Sequence, residues 1–406
     1  MQPYDLASLV KTELQNFILD HENADERKLV LQNKVIHGVP ASVVAAQISG
    51  RRKAKNKLPQ WHQSTGIIYP PSVNLEQSSS EFTARFKANL ISETMANQPL
   101  RGLDLTTGFG VDAFYLSQVC EKIDCVEPDF RLLEIAQHNH TRLGATNTIY
   151  HTTKAAQFIT SSDEKFDFAF IDPSRRSLSK KVFRLADCEP NVVQLLPSLF
   201  ERTNRLLVKA SPLLDLHLGC VELSRVERIF VVAVENECKE VLFWCAKDPG
   251  REVTVTCANL HSGFSKNKQR DFTFTFSEEK NATSIFSDPL TYLYEPNAAI
   301  LKAGSFKTVG RRYDLFKLHV NTHLYTSDQL KEDFPGRIFK IEALKPDANH
   351  FRTRFEGGKV NVVTRNYPLS PEQLKQKLKL QDGGEKYLIG FSGQKKKFLV
   401  EARRIL

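Results

Sequence analysis

The 406-residue chain is 41% hydrophobic and 25% charged, with a formal net charge of +9. That composition excludes a disordered chain and, at this length, a single ordinary core, so two or three domains are expected. It has no apolar run long enough to span a bilayer and no charged-then-apolar leader at its start, so a cytoplasmic protein without a membrane partner is expected.

In chain order, residues 5–20 and 24–48 carry apolar side chains at helical spacing, the second run interrupted at Gly38-Val39-Pro40. The run Arg51-Arg52-Lys53-Ala54-Lys55-Asn56-Lys57 sets five like charges in seven positions and reads as a solvated face. Residues 59–75 read as a Pro- and Ser-rich linker, after which Ser78 and Glu81, three apart, predict a capping box opening a helix over 79–96. Strands are then predicted at 101–106, 123–127, 147–152, 166–172, 205–210, 228–234 and 240–246. Helices are predicted near 111–119, 129–142, 154–161, 189–201 and 213–219. Such alternation requires a parallel sheet with crossovers. The connection through Glu235–Lys239 is too short for a helical crossover, so the last two strands form an antiparallel edge pair.

Beyond residue 250 the texture changes. Strand-like segments at 253–256, 272–276, 337–342, 359–363, 387–391 and 397–401, with helices near 297–304 and 370–380, predict a small α+β module. Residues 297–406 hold 22 Lys and Arg against 11 Asp and Glu, a net +11, which leaves −2 for the rest. Its exposed basic set is read as Arg311, Arg312, Arg352, Arg354, Arg365, Lys375, Lys377, Lys379, Lys395, Lys396 and Lys397. A basic module on a near-neutral body suits a polyanionic partner. The seven cysteines include no Cys-x-x-Cys pair, so they are read as structural thiols with no metal.

The chemistry is concentrated at strand ends. The first strand runs into Asp104-Leu105-Thr106-Thr107-Gly108-Phe109-Gly110, where Gly108 and Gly110 permit a tight turn and close backbone approach to a nucleotide-like ligand. Gly108, Gly110 and Ala113 also satisfy a dinucleotide fingerprint, but a carboxylate at Asp104 repels a pyrophosphate and suits the ammonium of a methionine moiety. Glu127, ending the second strand, is placed to accept ribose hydroxyls. Asp104, Thr106, Gly108, Gly110 and Glu127, with Thr83 on the preceding helix, are therefore the candidate contacts to S-adenosylmethionine. Arg85 and Lys87 share that helix, and the base position after the third strand offers only Thr152-Thr153-Lys154. The later strand ends in Asp172-Pro173-Ser174-Arg175-Arg176. Asp172 and Pro173 are the candidate catalytic pair; Ser174 and Arg175 stand where methylases of exocyclic amines place the second Pro and the aromatic of Asp-Pro-Pro-aromatic. Arg175 and Arg176 are candidates to clamp a substrate phosphate.

These segments, with Glu76–Glu81, Phe183–Asn191, Asn236-Glu237-Cys238-Lys239-Glu240, Tyr294–Ala299 and Asn321–Ser327, resemble the bacterial class I methyltransferases that carry a C-terminal THUMP-like domain. The resemblance runs from about residue 70 to the end. It implies an α/β fold, with a Rossmann-like seven-stranded class I sheet over 76–250. An N-terminal helical segment (1–75) precedes it; a connecting ferredoxin-like α+β region (251–325) and a THUMP-like domain (326–406) follow. It also implies S-adenosylmethionine as cofactor and a base in structured RNA, tRNA or rRNA, as target, with Lys395, Lys396 and Lys397 on the RNA-contacting surface. Two other functions stay open: methyl transfer to a small molecule or protein, and RNA binding without catalysis beside a vestigial pocket.

Overall fold

The computed structural model describes residues 6–95, 99–175, 184–250, 252–261, 271–344 and 355–405. The chain forms two compact units, Met1–Glu227 with Leu242–Gly250, and Arg228–Val241 with Arg251–Leu406.

The first unit begins with helices Leu6–Leu9, Thr12–Asp20 and Glu26–Gln32. The expected single helix over 24–48 is divided by a small hairpin, Val35–Ile36 against Val39–Pro40, turned through His37 and Gly38 at positive φ. Helix Ala41–Lys57 follows and carries the basic run. There Arg51 pairs with Glu22 at 2.9 Å and Arg52 with Glu26 at 3.2 Å, so part of that run fastens the N-terminal helices instead of standing free.

The expected linker is a packed element. Helix Pro59–Gln63 lies within it and helix Ser72–Gln77 begins in it, and Trp61, Ile67, Ile68, Tyr69 and Leu75 are all buried. Trp61 meets Phe109 and Phe114 edge-on at 5.6 and 5.8 Å. Asn139 bonds both backbone groups of Ile68, at 2.9 and 2.8 Å. A segment that buries this much apolar surface is held by the hydrophobic effect whatever its Pro and Ser content. The next helix, Glu81–Thr94, is capped by the Ser80 hydroxyl accepting from the Thr83 N–H, not by a Ser78–Glu81 box. Glu81 instead accepts from the Gln60 N–H and pairs with Arg85.

The sheet consists of β1 Arg101–Asp104, β2 Lys122–Val126, β3 Thr148–His151, β4 Phe168–Ile171 and β5 Arg205–Ala210, followed by β6 Val226–Val234 and β7 Glu237–Ala246. In the first unit the order is β7-β5-β4-β1-β2-β3, and the β5-β4-β1-β2-β3 contacts are all parallel. β4 is buried at all four positions, as a strand covered on both faces requires. Helices Val111–Ser117, Phe130–Arg142, Ala155–Ser161, Val192–Arg202 and Leu216–Leu223 supply the crossovers. All parallel strands therefore end on one edge of the sheet.

In the second unit, β6 turns into β7 through Glu235 and Asn236, both at positive φ, the two-residue hairpin geometry that makes the pair antiparallel. β8 Thr254–Leu260 lies parallel to β6, and β9 Phe272–Thr275 antiparallel to β8. The expected strand end at Phe276 is instead the start of a capped helix, Phe276–Asn281. A separate seven-stranded sheet contains β10 Tyr292–Pro296, β11 Phe316–His319, β12 Thr322–Ser327, β13 Gly336–Leu344, β14 Asn361–Arg365, β15 Lys386–Ser392 and β16 Lys397–Arg404, in the order β11-β12-β10-β13-β16-β15-β14. Helix Pro371–Leu378 crosses between the parallel pair β14 and β15. Lys395, Lys396 and Lys397 are exposed. Arg365 is not part of the free basic surface: with Arg337 it encloses the buried Glu295. Arg352 and Arg354 lie outside the described residues.

Trp61→Ala should cost about 3–5 kcal/mol, as truncation of a buried aromatic does. A linker residue would cost under about 0.5 kcal/mol. Urea unfolding of the two proteins distinguishes these outcomes.

Candidate active site

β1 delivers Asp104 to the sheet edge with its side chain fully buried. Its Oδ1 accepts from the Thr106 N–H at 2.9 Å, while Oδ2 is buried without a hydrogen-bond partner. Burial holds this carboxyl well above the usual carboxylate range; the Thr106 bond opposes that, and Asp112, Asp172 and Glu127 reinforce it. An unsatisfied buried oxygen of this kind needs a donor.

The turn over it, Thr106 to Val111, lines a cavity of about 130 Å³ together with Asn74, Gln77, Ser78, Ser79, Asp112 and Asp172. Gly108 has φ +55 and Gly110 φ +94. A Cβ at Gly110 would stand 2.4 Å from His140 Nε2. His140 is fully buried, and burial lowers its pKa to about 4, so the ring is neutral. Its Nε2–H donates to the Gly110 carbonyl at 2.7 Å, which leaves Nδ1 to accept from the Tyr150 hydroxyl at 2.9 Å. Helix Phe130–Arg142 thus fixes the glycine turn from behind.

Glu127, just past β2, accepts from the Gly108 N–H and the Asp129 N–H, each at 2.9 Å. Burial raises its pKa against those two bonds. Each oxygen retains a lone pair for a ligand hydroxyl. Asp172, just past β4, donates its N–H to Thr106 Oγ1 at 2.7 Å and is ion-paired to Lys209 of β5. Pro173 is buried beside it. Ser174–Arg175 pairs antiparallel with Cys188–Glu189; only the backbone of Arg175 is described, and Arg176 lies outside the described residues.

Asp104, Thr106, Gly108, Gly110, Glu127 and Asp172 are thus brought together, whereas Thr83 is not: it is buried and its hydroxyl donates to the Ser80 carbonyl at 3.1 Å. Arg85 pairs with Glu81 and bonds Gln60. Lys87, also fully buried, pairs with Asp112 at 3.1 Å and donates to Ser79 Oγ at 3.2 Å; Ser79 in turn donates to Asp112 at 2.7 Å. Sequence reasoning did not find Asp112, Ser79, His140 or Lys209. Lys209 left a signal, a charge within the run Leu206-Leu207-Val208-Lys209-Ala210 that is otherwise apolar.

Four carboxylates therefore cluster here, and two ammonium groups offset two of them, Lys87 at Asp112 and Lys209 at Asp172. Asp104 and Glu127 remain. A ligand with an ammonium and vicinal hydroxyls complements that remainder, and a pyrophosphate does not. At about 130 Å³ the cavity is smaller than the roughly 300–1,000 Å³ of a pocket that engulfs a drug-sized ligand, so it suits one end of the cofactor. No cluster of His, Cys, Asp and Glu among the described residues has the arrangement of a metal site. No helix there is long and apolar enough to cross a membrane.

The β3-β2-β1-β4-β5 order continued by the β7–β6 hairpin, with its carboxylates at the strand ends, defines a class I S-adenosylmethionine-dependent methyltransferase. Comparison with known proteins agrees. Residues 292–335 match a ferredoxin-like domain family and residues 336–404 a THUMP domain-like family. A crystal structure from Porphyromonas gingivalis W83, designated a methyltransferase, is 30% identical, covers 99% of this chain and 100% of its own, and superposes with a TM-score of 0.85. Uncharacterized S-adenosylmethionine-dependent methyltransferases from two Mycobacterium tuberculosis strains, CDC 1551 and H37Rv, are each 22% identical over 346 residues, 82% of this chain and 87% of theirs. The chain belongs to the bacterial class I S-adenosylmethionine-dependent methyltransferases with a C-terminal THUMP-like domain.

Gly110→Ala combines a strained positive φ with a collision against a fixed ring, so it should destabilise the protein by about 1–3 kcal/mol. It should also weaken S-adenosylhomocysteine, whereas Gly144→Ala, at φ +86 with nothing within 4 Å of its Cβ, should weaken it not at all. Thermal unfolding and calorimetry on both variants check this.

Proposed function

We propose that the protein methylates a base in structured RNA, tRNA or rRNA, in the cytoplasm. Residues 76–250 carry the chemistry, braced by 1–75, and 326–406 hold the RNA, joined through 251–325. The observation that carries the RNA reading is charge: residues 297–406, which include the THUMP-like match, carry a net +11 and the rest of the chain −2. Phosphate contacts from such a surface position RNA without reading its bases.

In this reading Asp104 Oδ2 takes the methionine ammonium, directly or through a water, and Glu127 takes the ribose hydroxyls, while Gly108, Gly110 and Thr106 shape the turn against the cofactor. The cofactor supplies an electrophilic methyl group. Asp172 and Pro173 hold the acceptor atom, and Arg175 and Arg176 clamp a substrate phosphate. Thr83 acts through the cap of its helix.

Because burial raises the Asp104 pKa and the ligand ammonium favours the ionised form, binding should expel a proton, and affinity should weaken as pH falls. Calorimetry of S-adenosylhomocysteine in buffers of different ionisation heat should show this release. It should vanish in Asp104→Asn, with about 1–3 kcal/mol of affinity lost; Glu127→Ala should lose a similar amount. NADH should not bind.

RNA binding should weaken steeply with salt. Lys396 is only partly committed, with Asp288 at 3.0 Å. Changing Lys395, Lys396 and Lys397 together to Ala should lower affinity with little sequence preference and reduce the log–log salt slope by about 2, leaving S-adenosylhomocysteine affinity unchanged. Filter binding across a salt series reads both. An unchanged slope there, and again after neutralising Arg311, Arg312, Arg352 and Arg354, would assign the charge to a solvated face.

A further inference from the structure

Lys209 stands one residue before the end of β5 and is largely buried, its side chain 12% exposed. Placing an ammonium there costs desolvation, which a strand need not incur for packing. Its ammonium bonds Oδ2 of Asp172. Among the described residues none bonds the other oxygen, Oδ1. The backbone N–H of Asp172 is tied to Thr106 Oγ1 at 2.7 Å, and the Thr106 N–H to Asp104 Oδ1 at 2.9 Å. Asp172 is thus held at its main chain by the cofactor turn and at one carboxylate oxygen by β5, which leaves Oδ1 untied in a residue that lines the cavity.

From this geometry we propose that Lys209 is a positioning residue for methyl transfer: it fixes the rotamer of Asp172 so that Oδ1 accepts a hydrogen bond, and then the proton, from the acceptor atom, whose lone pair forms the bond to the methyl carbon as the carbon–sulfur bond breaks and S-adenosylhomocysteine leaves. The proposal rests on the assignment of Asp172 to the acceptor. Lys209 itself touches neither substrate nor cofactor in this role. Without it, Asp172 would stand beside Asp104 and Glu127 as a third carboxylate without a counter-ion, free to rotate away from the nucleophile. A neutral amide at 172 would need no such counter-ion.

The test uses the full-length protein, labelled S-adenosylmethionine and an extract of cells lacking the protein, separated after reaction into RNA, protein and small molecules. Lys209→Met should lower kcat about tenfold or more, since misplacing an acceptor group has effects of that size. KM and the S-adenosylhomocysteine Kd should stay within about twofold, and Lys209→Arg should recover most of the rate. Asp172→Asn should be slow by itself, and adding Lys209→Met to it should cost less than about twofold more, because the lysine acts only through the carboxylate. If Asp172→Asn is slow but Lys209→Met is not, or if the two losses multiply, the Lys209 proposal is overturned. If Asp172→Asn keeps its rate, the Asp172 assignment falls, and Lys209 with it. Label in protein or small molecules overturns the RNA reading alone, and the same variants are then compared on that acceptor. Label in no fraction counts against all three. Should Lys209→Met fail to fold, Lys209→Gln serves in its place.

Discussion

The constraint on which the site depends is electrostatic: four carboxylates share one edge of a parallel sheet. A parallel sheet delivers all its strand ends to one side, so Asp104 after β1, Glu127 after β2 and Asp172 after β4 converge there, and Asp112 opens the helix after β1. Left alone, these charges would repel one another; at Asp104 burial raises the pKa first and the neighbouring carboxylates add to it. Two buried ammonium groups make the cluster tenable. Lys87 comes from the helix ahead of β1 and Lys209 from β5, so the counter-ions are carried by elements that flank the glycine turn.

This division explains why the N-terminal segment is packed and not a tether. Ser79 bonds Asp112, Asn74, Gln77 and Ser78 line the cavity, and Trp61 packs on Phe109 and Phe114 of the turn and its helix. Removing that segment would open one wall of the cavity. Behind the turn, the neutral His140 performs the complementary task by holding the Gly110 carbonyl. The turn is thus fixed from both sides, in a shape suited to close approach by a ligand.

In the second unit the same physics serves stability and not chemistry. Glu295 is buried with two guanidiniums on it, Arg337 and Arg365, each of which still reaches solvent. Arg365 is basic in the sequence count yet spent internally. The positive charge left for a polyanion is correspondingly smaller than composition suggests, and it includes the exposed Lys395, Lys396 and Lys397.

The local signals, which depend only on neighbours in sequence, were legible from the chain alone: the alternation of strands and helices, the short β6–β7 connection, the Gly108–Gly110 turn and the acidic residues ending β1, β2 and β4. The class of sheet follows from these, because parallel strands with crossovers leave few arrangements. Tertiary structure alone decided which partners the charges found. Lys87 and Asp112 are separated by 25 positions and Asp172 and Lys209 by 37, and no periodicity links them. It likewise turned residues 59–75 from an apparent linker into core, since Trp61 packs on Phe109 and Phe114 and Tyr69 on Gln47 and Gly50 of helix Ala41–Lys57, partners remote in sequence. Charge pairing and burial are properties of distance in space, and a linear chain states only distance along itself.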